Sequence, residues 1–191
     1  MRVTTTPDLI PPGRLRPLRR SEYDRLVDLG VFEGEKLELL YGRLVSMSPQ
    51  GEGHAFSITR LTRLLVLGLR ERAEVRAQMP FVASEVSEPE PDLAVVAPGD
   101  YLDGHPRSAL LVIEVAESSL AEDRSVKALL YAAAAVPEYW IVDLVNGLVE
   151  RYREPRDGAY AVVSRHDRDA ALSVPGFADL VIAVGDVLPP R

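Results

Sequence analysis

The chain has 191 residues, 47% of them apolar and 27% charged, with no cysteine and a net charge of −7. That balance fits a globular protein able to enclose a sizeable core, and it excludes disulfides and thiolate metal sites. The acidic excess argues against a protein that coats nucleic acid by general attraction, though not against an enzyme with a locally basic surface.

The first residues, MRVTTTPDLIPPGRLRPLRR, lack the apolar stretch of a secretory signal, and no run approaches the ~20 apolar residues of a membrane helix. Residues 1–19 read as a flexible, Pro-rich basic arm, and residues 20–191 as a single domain. The arginines at 14, 16, 19 and 20 are placed either to embrace nucleic acid or simply to be solvated. The absence of cysteine fits a reducing cytoplasm.

SEYDRLVDLG predicts a short helix, with Ser21 and Asp24 at capping-box-like spacing and Gly30 as its stop. EKLELLYGRLVSMS reads as two strands around Tyr41-Gly42, with Leu37 and Leu39 alternating against an outward Glu38. A longer helix is expected over 53–72, where Ile58, Leu61, Leu64, Leu65 and Leu69 recur at helical spacing and Arg60, Arg63, Arg70 and Arg72 form a solvated face. Residues 74–83 form an irregular strand broken by Pro80, and a strand follows at 92–97. After the loop APGDYLDGHPRS comes the most apolar strand, 110–116, then a helix over 120–135 that Ser118 and Ser119 begin and Pro137 closes. YWIVDL and LVERYRE pair about Val145-Asn146-Gly147, and 159–165 and 172–184 add edge structure. The order predicts an α/β protein with a mixed sheet flanked by helices and added hairpin strands.

Three residues are poorly explained by folding alone. Asp92 opens PDLAVVA, Glu114 interrupts LLVIEVA 22 positions later, and Lys127 lies 13 further on in the following helix. An ionised carboxylate in a core strand needs something to offset its desolvation, and a divalent cation is the usual partner. If the strands are neighbours, their alternation lets Asp92 and Glu114 converge on one side. Such an oxygen-rich site suits Mg²⁺ or Mn²⁺, with Lys127 a compact positive charge beside it. Taken singly, Asp92 also reads as a cap on the start of its strand, and Lys127 as a solvated residue pairing with Asp123. Trp140 and Tyr139 read as core or dimer contacts before base-stacking platforms, and Tyr131 as core.

SEPEPDLAVV, then LLVIEVAESSLAEDRSVKALLYAAAAVPEYWIVDL, with EKLELLYGRLVSMSPQGEGHAFSITRLTRLL upstream, resembles the Uma-two family within the PD-(D/E)XK nuclease superfamily, over about residues 20–185. The resemblance implies a restriction endonuclease-like core and Mg²⁺-dependent cleavage of a phosphodiester, with DNA the expected nucleic acid. It makes Asp92 the aspartate of the PD element and Glu114 the acid of the next strand. Two residues beyond Glu114, where the superfamily often has its lysine, stands Ala116, and Lys127 matches the position to which this family has moved that function. Glu38 corresponds to the family's upstream acid, and His54 and Gln78 fall in similar blocks as accessory residues. Otherwise His54 reads as a capping or surface residue and Gln78 as a partner for backbone groups.

The expected function is thus a metal-dependent endonuclease. Asp92, Glu114 and the Val115 carbonyl hold Mg²⁺ (or Mn²⁺ in its place), Glu38 and Lys127 assist, and the chain is a homodimer addressing both strands. The alternative is a noncatalytic nuclease-fold binding or assembly module. A hydrolase using paired acids on sugars ranks last, since only 6% of residues are aromatic and few can serve as stacking platforms.

Overall fold

The computed structural model describes residues 14–190, and residues 1–13 of the flexible arm expected over 1–19 lie outside the described residues. In the rest of that expected arm, Arg16 grips Glu22 through two bonds of 2.9 Å, and the Leu18 amide donates to the Gly42 carbonyl at 3.0 Å. Helix α1 spans Arg20–Asp28. Its capping box differs from expectation: the Glu22 carboxylate accepts from the Arg19 amide at 3.0 Å. The helix begins one residue earlier than Ser21, so Glu22, not Asp24, stands at the third position. Asp24 instead pairs with Arg20 at 2.7 Å.

Strands β1 (Leu37–Leu40) and β2 (Arg43–Ser46) form the expected antiparallel hairpin. Gly42 turns it at φ 74°, and a Cβ there would collide with Pro17. Helix α2, Glu52–Leu69, buries Leu61, Leu65 and Leu69 along one stripe, and a 3₁₀ turn, Arg70–Arg72, ends it.

Six strands then build the main sheet: β3 (Glu74–Ala77), β4 (Leu93–Val96), β5 (Leu111–Ala116), β6 (Glu138–Asp143), β7 (Leu148–Arg156) and β8 (Ala159–His166), side by side in chain order. Every pair is antiparallel except β5–β6. A parallel pair needs a crossover, supplied here by α3 (Leu120–Glu122), a π-helical turn (Asp123–Lys127) and α4 (Ala128–Ala133). The continuous helix expected over 120–135 is therefore interrupted by a widened turn and ends two residues early. Ser119 is the N-cap of α3, but its hydroxyl does not cap: it donates to Asp123 Oδ2 at 2.7 Å. Strands β9 (Ala171–Val174) and β10 (Phe177–Ala183) pair only with each other, supplying the edge structure expected over 172–184, and a short helix α5 (Val184–Val187) follows. Among the described residues no helix is long and apolar enough to cross a membrane.

Period-two alternation divides the core. Leu93, Val95, Leu111, Ile113 and Val115 face α2, together with Trp140, β9, β10 and α5. Ala94, Val96, Val112, Ala116 and Ile141 face α4, with Tyr131 and Tyr139. Both aromatics of the β6 strand are thus core residues. On the π turn, Arg124 reaches Asp143 Oδ2 at 2.8 Å and Glu150 through Nε and Nη2 at 3.0 and 2.9 Å. This forked grip fastens the turn to β6 and β7 and so sets the position of Lys127 three residues on.

Candidate active site

Parity decides where the two acids point. Leu93 pairs with Ile113, so Asp92, just before β4, stands across from Glu114 on β5. Both share the even-numbered face of Ala94, Val112 and Ala116, directed toward α4. Asp92 Oδ2 accepts from the Val115 amide at 2.8 Å, and the Asp92 amide donates to Glu114 Oε2 at 3.3 Å. In a strand the carbonyl of a residue points to the same edge as its N–H, so the Val115 carbonyl also faces the Asp92 side. Pro91, next along, has no N–H to occupy it.

Glu114 Oε1 receives two donors, Lys127 Nζ at 3.1 Å and the Tyr131 hydroxyl at 2.7 Å. Lys127 Nζ also lies 3.2 Å from Glu38 Oε1. Lys127 is therefore neither solvated nor paired with Asp123, and Tyr131 braces the glutamate as well as filling core. Glu38 points inward from β1, 3% exposed, against the outward orientation its alternation predicts. Both faces of β1 are covered, since Leu39, bridged to Glu88, is 0% exposed, and Glu38 and Leu40 on the other face are each 3% exposed.

His54, in the first turn of α2, brings Nε2 to 3.0 Å from Asp92 Oδ2, a half-buried contact in place of the expected cap or surface site. Gln78 bonds to Asp92 twice, through its amide N–H to the carbonyl at 3.1 Å and through Nε2 to Oδ1 at a long 3.4 Å. It does so in the left-handed region, φ 52°, where a side chain is uncomfortable. Ala116 is buried in the core, leaving Lys127 to supply the ammonium from the opposite element. Glu38, His54, Asp92, Glu114, Val115 and Lys127 line one cavity of about 100 Å³, while Gln78 touches it only through Asp92. Four further acids line it that the sequence does not single out for the site, Glu90, Glu117, Glu122 and Asp123, of which Asp123 is buried. Glu90 stands two residues before Asp92, and Asp123 one turn before Lys127, and those spacings are the signals that mark these two.

Charge dominates the energetics. Burial disfavours the ammonium of Lys127, but Glu114, Glu38 and Asp123 more than offset that and hold it above its ordinary value. Burial pushes the Glu114 carboxyl up; Lys127 opposes this and the other acids reinforce it. Burial likewise raises Asp123, against Lys127 and the Ser119 hydroxyl, to about 6. Lys127 thus stays protonated, and the deficit of positive charge falls on the acids. No group of three or more His, Cys, Asp or Glu among the described residues forms a metal cage by itself. Of the site's acids, Asp92 and Glu114 stand across from each other beside the Val115 backbone, and these oxygens could hold an ion that keeps most of its waters, such as Mg²⁺.

A family model described as "Putative restriction endonuclease" matches residues 20–185, and the chain belongs to that family, Uma2. A solved structure from Anabaena variabilis ATCC 29413, described as a "putative nuclease belonging to DUF820", superposes with a TM-score of 0.67 at 18% identity, covering 90% of this chain and 97% of that one. The mixed six-stranded sheet with flanking helices is therefore the restriction endonuclease-like α/β fold. No curated protein matches the chain.

Proposed function

We propose that this Uma2-family chain is an endonuclease that hydrolyses phosphodiester bonds of DNA with Mg²⁺, or Mn²⁺ in its place, held by Asp92, Glu114 and the Val115 carbonyl. The observation that carries the reading is the charge imbalance of the pocket. Glu38, Asp92, Glu114 and Asp123 are all less than a tenth exposed and have one equally buried ammonium, Lys127, among them. Such an excess of buried negative charge is relieved by protons or by a cation, and a divalent ion relieves it without surrendering the ligands. Bound there, Mg²⁺ supplies charge neutralisation for a phosphate and an acidified water near neutral pH.

The remaining chemistry belongs to the chain's own side chains. The Val115 amide and His54 hold Asp92 Oδ2, leaving Oδ1 with only the long Gln78 contact. Tyr131 fixes Glu114 in one rotamer. Glu38 and Glu114 hold Lys127 between them, and an ammonium with two carboxylate neighbours keeps a third N–H for water or a phosphate oxygen. Lys127 thereby orients the attacking water and steadies the anion that develops at phosphorus. The reading also carries a two-fold homodimer, the usual way to address two strands, and a reducing cytoplasm, from the absence of cysteine.

The test is incubation of purified protein with Mg²⁺ and linear or closed circular DNA, beside Asp92→Ala and Lys127→Ala, with calorimetric titration of Mn²⁺ into each. Cleavage of circles and a Mn²⁺ isotherm, both absent in Asp92→Ala, support the reading. Cleavage that persists in Asp92→Ala, or no isotherm in the parent protein, overturns it.

A further inference from the structure

Beside the carboxylate pocket lies a larger cavity, about 500 Å³, bounded by α1, the loop after it and the β1–β2 hairpin. The two are contiguous, since Met47, Ser48, Gln50 and Glu90 line both. Their sizes divide the labour. The first, about 100 Å³, has space for a small hydrated ion and phosphate oxygens, while the second has the dimensions of a site for an organic group. Its wall includes Tyr23 and Phe32, whose rings stack 5.9 Å apart at 25°. The Tyr23 hydroxyl is tied to the Leu37 carbonyl at 3.0 Å, which fixes that wall. Gln78, in its left-handed conformation, stands at the junction with its amide already on Asp92.

The charge of the cavity says what enters it. The carboxylates of Glu33, Glu35 and Glu90 outnumber the single ammonium of Lys36, so a phosphate is repelled. A nucleobase is neutral, has a flat face for the aromatic wall, and carries exocyclic amino groups that donate to carboxylates. We propose that this cavity receives the base of the nucleotide next to the scissile phosphate, so that the preferred substrate is DNA with an unpaired nucleotide at the cut. This rests on the nuclease reading above and adds a substrate class to it. A base still paired in a duplex has to be extruded first, and that penalty sets the preference.

The experiment separates the base pocket from the chemistry. Binding of labelled oligonucleotides is followed by fluorescence anisotropy in EDTA at low salt, where no turnover is expected. The probes are a single strand, the same strand in a duplex, and a strand of abasic sugars. Val27 lines the cavity from an exposed helix position, 49% accessible, so Val27→Trp fills it without touching the core, and Phe32→Ala removes half of the aromatic wall. The expected result is a single strand bound roughly ten-fold tighter than the duplex or the abasic strand, a preference lost in Val27→Trp and reduced in Phe32→Ala. Equal binding of the three probes, or an unchanged preference in Val27→Trp, overturns the proposal. Cleavage with Mg²⁺ is scored separately. Strand-selective binding without cleavage of any DNA leaves the base pocket standing and removes the nuclease reading. Equal cleavage of strand and duplex, unaltered in Val27→Trp, does the reverse.

Discussion

Lys127 Nζ and Glu114 Oε1 meet at 3.1 Å inside the protein, the lysine 7% and the glutamate 4% exposed. Truncating one member of a buried pair strands the other, which typically costs about 3–5 kcal/mol. Here Glu114 can take up a proton, so Lys127→Met should cost less, about 2–3 kcal/mol by urea unfolding at pH 8 without divalent cation. Mn²⁺ should restore much of that loss, because the vacated acids still bind it, while DNA cleavage falls at least ~100-fold. Weaker Mn²⁺ binding in Lys127→Met than in the parent would mean that the lysine organises the ligands instead of competing with the ion.

Asp92 gives the complementary case. Its Oδ2 accepts from the Val115 amide at 2.8 Å, and an asparagine oxygen can keep that bond. Asp92→Asn removes one charge from an over-acidic pocket, so stability should stay within about 1 kcal/mol or rise. Cleavage and the Mn²⁺ isotherm should both disappear. Activity within ten-fold of the parent would remove Asp92 from the chemistry.

The sheet, the hairpins and most element boundaries are legible because local rules agree there: alternation in LAVV and LLVIEVA, and leucines at helical spacing in α2. Asp92 and Glu114 stand out for the opposite reason, as charges that interrupt apolar strands. Glu38 departs from its expected outward orientation because alternation presumes one solvated face, whereas the fold covers both faces of β1, with Leu39 0% and Glu38 3% exposed. The π turn at Asp123–Lys127 leaves no mark in helix propensity, being set by the Arg124 grip on Asp143 and Glu150. The cavity against α1 was invisible for a similar reason. It is made by a loop, residues 30–36, whose path depends on contacts distant in sequence.

Asp123 links metal binding to pH. Its folded-state value is raised from 3.8 to about 6 by burial, so the folded protein holds that proton more tightly than the unfolded chain. The associated stability is complete below pH 3.8 and is lost as pH rises through about 6. A cation competes with the same protons, so the rise in Tm produced by saturating Mg²⁺ should be small at pH 5 and reach its full size by pH 8. Scanning fluorimetry across that range measures it. A shift of equal size at both ends would show that the ion binds away from these acids.

Glu88 provides a pH effect independent of any cation. It is 4% exposed, its Oε2 lacks a hydrogen bond, and its nearest cation, Arg20 Nη1 at 3.6 Å, is committed to Asp24 at 2.7 Å. Burial raises its carboxyl to about 7, Asp24 adds to the rise, and Arg20 only partly opposes it. The sign follows: the folded state prefers the proton, so this contribution is full below 4.5 and is lost as pH climbs through about 7. Glu88→Gln fixes the neutral form. The variant should match the parent at pH 4.5 and exceed it by about 1–2 kcal/mol in urea unfolding at pH 8, with or without Mg²⁺. Superimposable stability profiles for the two proteins would show instead that Glu88 remains ionised when buried, with Arg20 turned fully toward it.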